Sequence, residues 1–272
     1  MTANTALITG ASSGIGAELA KLFAADGDDL VLVARRKDRL QELADTMKDR
    51  HGATSTVIPM DLTEPDAAQE LFEEVEDEGI EVHTLVNNAG FTTFGRFDEM
   101  DIEGDVKMID LNITAVTRLT KAFVQPMVER GDGEILNTSS MAGMAPTPTQ
   151  SVYAATKSYI LSFSESVGHE LEGEGITVTA LCPGPVDTEF LELEGMENSG
   201  VGNGSLNDPE SVAKAGYKGL KKGKRVVYSV DEDEEPIVSQ TRTSETDGRL
   251  DGGGRRHRRL IRAQESKEYR ST

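Results

Sequence analysis

A chain of 272 residues, 37% of them hydrophobic, is long enough for one large α/β domain, and the strand–helix alternation described below favours one over two. The formal net charge of −20 argues against nucleic acid or an anionic membrane as partner, and no apolar run approaches the roughly 18 residues that span a bilayer. One cysteine, Cys182, excludes an internal disulfide, and four scattered histidines lack ligand spacing, so no metal is expected.

The first residues carry no basic and apolar leader, so a cytoplasmic protein is expected. The acid excess resembles that of proteins from salt-loving archaea, where concentrated salt screens self-repulsion. An acidic surface without halophily is the alternative.

Taken in order, the run Ala6-Leu7-Ile8 predicts a strand over Thr5 to Thr9. It enters Thr9-Gly10-Ala11-Ser12-Ser13-Gly14-Ile15-Gly16, and a helical pattern follows from Ala17. Glycines there let a pyrophosphate approach the free N–H groups and positive end of a helix. The candidate contacts are Gly10, Ser12, Ser13, Gly14, Ile15 and Gly16; a tight turn without a ligand is the plainer alternative.

Asp29 to Ala34 is a continuous apolar run, the pattern of a strand buried on both faces. Arg35 and Arg36 follow it, where the adenosine ribose of a dinucleotide lies in such a fold. An acid there binds the 2′-hydroxyl of NAD, whereas arginine accommodates a 2′-phosphate, so NADP(H) is the expected cofactor. A basic helix start in a solvated loop is the competing explanation.

A helix from Lys37 to Arg50 leads to a strand from Ser55 to Met60, closed by Asp61-Leu62, and Thr63 to Asp66 looks like the next helix start, with Asp61 as a possible cap. A strand from Val82 to Val86 ends in Asn87-Asn88-Ala89-Gly90. Helices are expected from Asp98 to Asp110 and from Asn112 to Glu129. A strand from Glu134 to Asn137 ends in Thr138-Ser139-Ser140, and a loop from Met141 to Thr149 precedes a long helix carrying Tyr153 and Lys157. A strand from Thr177 to Leu181 ends in Cys182-Pro183-Gly184-Pro185. Val186 to Leu206 is expected to cover a substrate, and a helix from Asp208 to Lys221 and a strand from Arg225 to Val230 finish the sheet.

Tyr153 and Lys157, four apart, share one helix face. Hydride reduction of a carbonyl makes an alkoxide that a positioned acid must protonate, and a tyrosine beside an ammonium can do so. This serine-then-Tyr-x-x-x-Lys order resembles that of the short-chain dehydrogenases/reductases, and the resemblance implies a serine hydroxyl at the substrate oxygen; Ser139 and Ser140 are rivals for that role, and the spacing to Tyr153 favours Ser140. On the topology that this resemblance implies, Phe91, Phe94, Phe97, Met141 and Met144 would lie near the cleft and give it an apolar lining, with simple loop packing as the alternative.

T-G-x-x-x-G-x-G, N-N-A-G, Ser140 with Tyr153-x-x-x-Lys157, and C-P-G-P together resemble the short-chain dehydrogenases/reductases over about residues 3 to 230. The resemblance implies a doubly wound, Rossmann-like parallel sheet of order 3-2-1-4-5-6-7, with helices on both faces of a single domain. It implies a tetrad of Asn112, Ser140, Tyr153 and Lys157, in which Lys157 holds the nicotinamide ribose and Asn112 supports a water. Asp61 and Leu62 would border the adenine, Asn88, Ala89 and Gly90 the cofactor's middle, and Pro183, Gly184, Val186 and Thr188 the nicotinamide end. The implied activity interconverts an apolar, acyl or steroid-like carbonyl compound and its secondary alcohol with NADP(H), in a homodimer or homotetramer. A nucleotide-binding redox sensor without turnover is the alternative.

Beyond Val230 the chain turns nearly charge-balanced, and arginine replaces lysine as the commoner base. Too few apolar residues remain to bury a face, so residues 231–272 are expected to be a disordered tail. A shifted reading frame in the source gene would explain the change of composition; an authentic solvated tail is the other explanation.

Overall fold

The computed structural model of the chain describes residues 3–189 and 206–229. Most of the expected substrate-covering segment and the whole expected tail, 231–272, lie outside the described residues. The strands are β1 (Thr5–Thr9), β2 (Asp29–Ala34), β3 (Ser55–Pro59), β4 (Thr84–Asn87), β5 (Gly133–Thr138), β6 (Ile176–Pro183) and β7 (Val226–Ser229). They pair in parallel in the order β3-β2-β1-β4-β5-β6-β7, the expected one.

Parallel strands covered on both sides must be apolar at successive positions, and these are. Alternate residues point to opposite faces. Ala6, Ile8, Leu30, Leu32, Val86 and Leu136 enter one core with Leu19, Phe23 and Leu40, while Leu7, Val31, Val33, Leu85 and Ile135 enter the other with Leu71, Leu119 and Phe123. The first core is covered by α1 (Gly14–Ala25), α2 (Lys37–His51) and α7 (Pro209–Lys221), and the second by α3 (Ala67–Asp77) and α5 (Val116–Arg130). On the second face α6 (Ser151–Glu170) adds Leu161 against Ala180 and Cys182 of β6. Because β1 pairs with β2 on one side and β4 on the other, the chain switches faces there, which opens a crevice at the strands' carboxyl ends.

Helix ends follow local chemistry where it is strong. Asp208 accepts from the Ser211 N–H at 2.9 Å ahead of Pro209, which fits an N-cap followed by proline at the first helical position. Two expectations fail. The helix expected from Thr63 begins at Ala67, because the Asp61 carboxylate instead closes a turn by accepting from the Thr63 N–H (3.1 Å) and hydroxyl (2.9 Å). The two helices expected between Asp98 and Glu129 are one helical stretch: α4 (Ile102–Ile109) runs through π-helical residues Asp110–Ala115 into α5. Among the described residues no helix is long and apolar enough to cross a membrane.

Candidate active site

At the switch point, β1 delivers the chain into Gly10 with φ of +68°, a conformation that side chains disfavour. A Cβ there would stand 2.9 Å from the Ala89 Cα, so the turn is pressed against the N-N-A-G stretch. That contact is fixed by Thr9, whose hydroxyl oxygen accepts from the N–H groups of Asn88 and Ala89, both at 3.0 Å. Gly16 serves packing: a Cβ on it would lie 2.4 Å from the Gly10 carbonyl oxygen. The side chain of Ser13, the N-cap of α1, makes no capping bond among the described residues, and the first turn holds no acid. α1 therefore presents its positive end to the crevice with no cap or acid of its own.

The crevice is a cavity of about 600 Å³. Its walls bring together, from the glycine turn, Gly10, Ser12, Ser13, Gly14 and Ile15. From the ends of β2 and β3 come Arg35, Arg36, Asp61 and Leu62, and after β4 come Asn88, Ala89 and Gly90. Ser140, Tyr153 and Lys157 line it at the far side with Pro183, Gly184, Val186 and Thr188. Of the expected site residues, Gly16 and Asn112 do not line it. Phe91 and Met141 do, whereas Phe94, Phe97 and Met144 do not; Phe97 is 68% exposed and Met144 packs beside Leu161 and Cys182.

The electrostatics differ from one end to the other. Burial works against ionisation of Asp61, but donation from Thr63 and the charges of Arg35 and Lys107 outweigh it and hold the carboxyl below its usual range. Around Tyr153 burial wins, pushing the phenol up to about 12, and the partial offset is a hydrogen bond with Ser140. The Lys157 Nζ stands 5.7 Å from the Tyr153 ring centre and donates to the Thr138 carbonyl at 2.8 Å. Burial likewise lowers the Lys157 ammonium to about 8. Tyr153 is thus a neutral phenol at neutral pH, with its proton available to give.

Ser139 also lines the cavity, but its hydroxyl donates to the Lys157 carbonyl at 2.7 Å, whereas Ser140 is the serine whose side chain hydrogen-bonds Tyr153. Asn112 sits in the π-helical stretch, 1% exposed, and its side chain is committed to holding neighbours. Its Nδ2 donates to the Phe91 carbonyl (3.0 Å) and the Thr156 hydroxyl (3.1 Å), and its Oδ1 accepts from the Phe91 N–H (3.2 Å). A water-supporting role would have to come from its backbone.

Sequence reasoning missed Gln150, Leu111, Thr147 and Glu189, which also line the cavity. Gln150, one turn before Tyr153, was the most findable: it is 8% exposed and its Nε2 donates to the Thr92 hydroxyl at 3.1 Å.

A family profile described as short chain dehydrogenase matches residues 4–198. A short chain dehydrogenase of Pseudocercospora fijiensis is 38% identical over 188 residues, 68% of this chain; the chain covers only 60% of that protein. Oxidoreductase UcpA of Salmonella typhimurium is 36% identical over 213 residues, 78% of each chain. Among solved structures, a short-chain dehydrogenase from Sphingobium yanoikuyae in complex with NADPH has 32% identity and a TM-score of 0.78, covering 99% of this chain and 96% of its own. A bulky-bulky ketone specific alcohol dehydrogenase from Comamonas testosteroni has 29% identity and a TM-score of 0.74, covering 100% and 96%. With its sheet order, glycine turn and Ser140–Tyr153–Lys157 grouping, this chain belongs to the short-chain dehydrogenase family of oxidoreductases.

Proposed function

We propose that the protein is an NADP(H)-dependent enzyme that interconverts an apolar, acyl or steroid-like carbonyl compound and its secondary alcohol. The observation that carries this reading is one cavity holding the Tyr153, Ser140 and Lys157 side chains at one end and Arg35 and Arg36 at the other. The residues present fit a phosphorylated dinucleotide. The glycines of the turn set no side chain against a pyrophosphate, α1 has no side-chain cap on its first N–H groups, and the two arginines supply donors suited to a 2′-phosphate.

When bound, the dinucleotide supplies or accepts the hydride. Every other task falls to the chain. The Tyr153 hydroxyl gives its proton to the oxygen that was the carbonyl, and Ser140, bonded to Tyr153, holds the same oxygen in place. Lys157, anchored on the Thr138 carbonyl, contributes positive charge and a donor for the nicotinamide ribose. Phe91, Leu111, Met141 and Ala142 exclude water on the substrate side. The solved relative from Comamonas testosteroni is described as specific for bulky-bulky ketones, which supports a bulky ketone here.

The deciding experiment follows NADPH consumption across a panel of ketones and aldehydes, and turnover of bulky apolar ketones is the expected result. Tight NADPH binding with no turnover across the panel would support the redox sensor instead.

The reading extends to a homodimer or homotetramer working in the cytoplasm. Ile102, Val106 and Ile109, at helical spacing along α4, are 63%, 41% and 39% exposed, and Tyr159 on α6 is 38% exposed. Apolar side chains left open on one helix face support burial against another copy. Sedimentation in concentrated salt should give a mass of two or four chains, and a monomer would overturn this part of the proposal.

A further inference from the structure

Arg36 is already occupied. Its Nη1 donates to the Glu189 carboxylate at 2.8 Å, and its Nη2 donates to the hydroxyls of Ser12 (3.1 Å) and Ser13 (3.0 Å). The other oxygen of Glu189 accepts from Arg39 of α2. Glu189 comes directly after Thr188 in the chain leaving β6, and it lines the same cavity as the glycine turn. A carboxylate from one end of the sheet thus occupies a guanidinium that stands over the pyrophosphate turn at the other. Donation from Arg39 and Arg36 holds the Glu189 carboxyl at about 2, so its charge is present throughout the neutral range.

We infer that Glu189 is a specificity-determining residue: its carboxylate competes with the 2′-phosphate of NADP(H) for the Arg36 guanidinium, and so limits the preference for that cofactor over NAD(H). This rests on the reading that Arg35 and Arg36 receive the 2′-phosphate. A guanidinium has a fixed fork of donors and no acceptor, and both terminal nitrogens of Arg36 are already in use. Nε is also turned to Ser12, and one N–H of Nη1 is left, so a phosphate carrying a charge of about −2 takes two parallel bonds from this fork only by displacing Glu189 or the serine hydroxyls. Of these, Glu189 is the one the phosphate repels. Arg39 gives the displaced carboxylate somewhere to remain. NAD(H) presents an uncharged 2′-hydroxyl at this point, which leaves the Glu189–Arg36 pair in place.

The side chains of Arg36 and Glu189 are 40% and 43% exposed, so replacing Glu189 disturbs no core packing. The test is calorimetric titration of four full-length proteins, unmodified, Glu189→Gln, Arg36→Ala and the double variant, with NADPH and with NADH. Glu189→Gln should tighten NADPH binding about threefold or more, the scale of a half-exposed charge pair, and leave NADH unchanged. The gain should vanish in the Arg36→Ala background, where the contested group is gone.

If Arg36→Ala weakens NADPH but Glu189→Gln does not tighten it, the inference is overturned and the cofactor reading stands. An equal gain with and without Arg36 would mean simple charge repulsion, and an equal gain for NADH would mean a general loosening; either also overturns it. Should Arg36→Ala leave NADPH affinity unchanged in a protein that binds both cofactors equally, the cofactor reading fails and takes the inference with it.

Discussion

Tyr153→Phe is expected to lower kcat by about 10²- to 10⁴-fold, the usual contribution of a positioned general acid, while changing NADPH affinity by less than about twofold. The phenylalanine ring refills the space of a side chain that is 8% exposed, so only the hydroxyl is lost. That hydroxyl is buried, pushed up to about 12 and bonded to Ser140, which means that it carries its proton at every pH where the enzyme would work. The loss should therefore be as large at pH 6 as at pH 7.5. Lys157→Ala serves as the contrast. Its ammonium lines the cavity as well as standing near Tyr153, so both turnover and NADPH binding should fall. Turnover by the phenylalanine variant equal to that of the unmodified protein would remove Tyr153 from the proton-transfer step.

How much of this was legible in the sequence depended on whether a feature is local. The strands were legible because burial on both faces demands unbroken apolar runs, and β1 and β2 were placed at Thr5–Thr9 and Asp29–Ala34, residue for residue. The glycine turn and Tyr153 with Lys157 were legible because backbone freedom and a four-residue helical spacing are written in consecutive residues. The π-helical stretch at Asp110–Ala115 was not, since a shifted hydrogen-bond pattern leaves no mark on composition. Nor was the start of α3, where a side-chain bond from Asp61 decided between a turn and a helix.

Residues of one type were sorted by packing alone. Phe91 faces the cavity and Phe97, six positions on, faces solvent. The upward push on the Tyr153 phenol has the same origin: a motif shows its charged neighbour but not the depth of its burial. Glu189 meets Arg36 across 153 positions, a separation at which no pattern within either segment announces the pair.

The second large effect concerns the choice of cofactor. Ala34 ends β2 and lines the cavity, followed at once by Arg35, whose charge helps hold Asp61 ionised, and by Arg36 over the glycine turn. An enzyme built for NAD needs a carboxylate here to accept from the ribose hydroxyls, and a guanidinium offers donors only. Arg35 and Arg36 suit a 2′-phosphate instead. Charge-assisted bonds contribute about 1.5 to 3 kcal/mol where water is excluded, but the Arg36 side chain is 40% exposed, so about 1 kcal/mol per arginine is the better figure.

Two such contacts correspond to about thirtyfold, which the competition of Glu189 for Arg36 lowers about threefold, and kcat/KM should favour NADPH over NADH by at least about tenfold at low salt. Molar salt, by screening exposed charges, should narrow the ratio. Replacing Ala34 with Asp and Arg35 with Ala supplies the missing acceptor, removes one donor and sets a negative charge against the phosphate. The order of preference should then reverse, with NADH becoming the better substrate. Equal efficiency with both cofactors in the unmodified protein, or a double variant that still prefers NADPH as strongly as before, would defeat this assignment of Arg35.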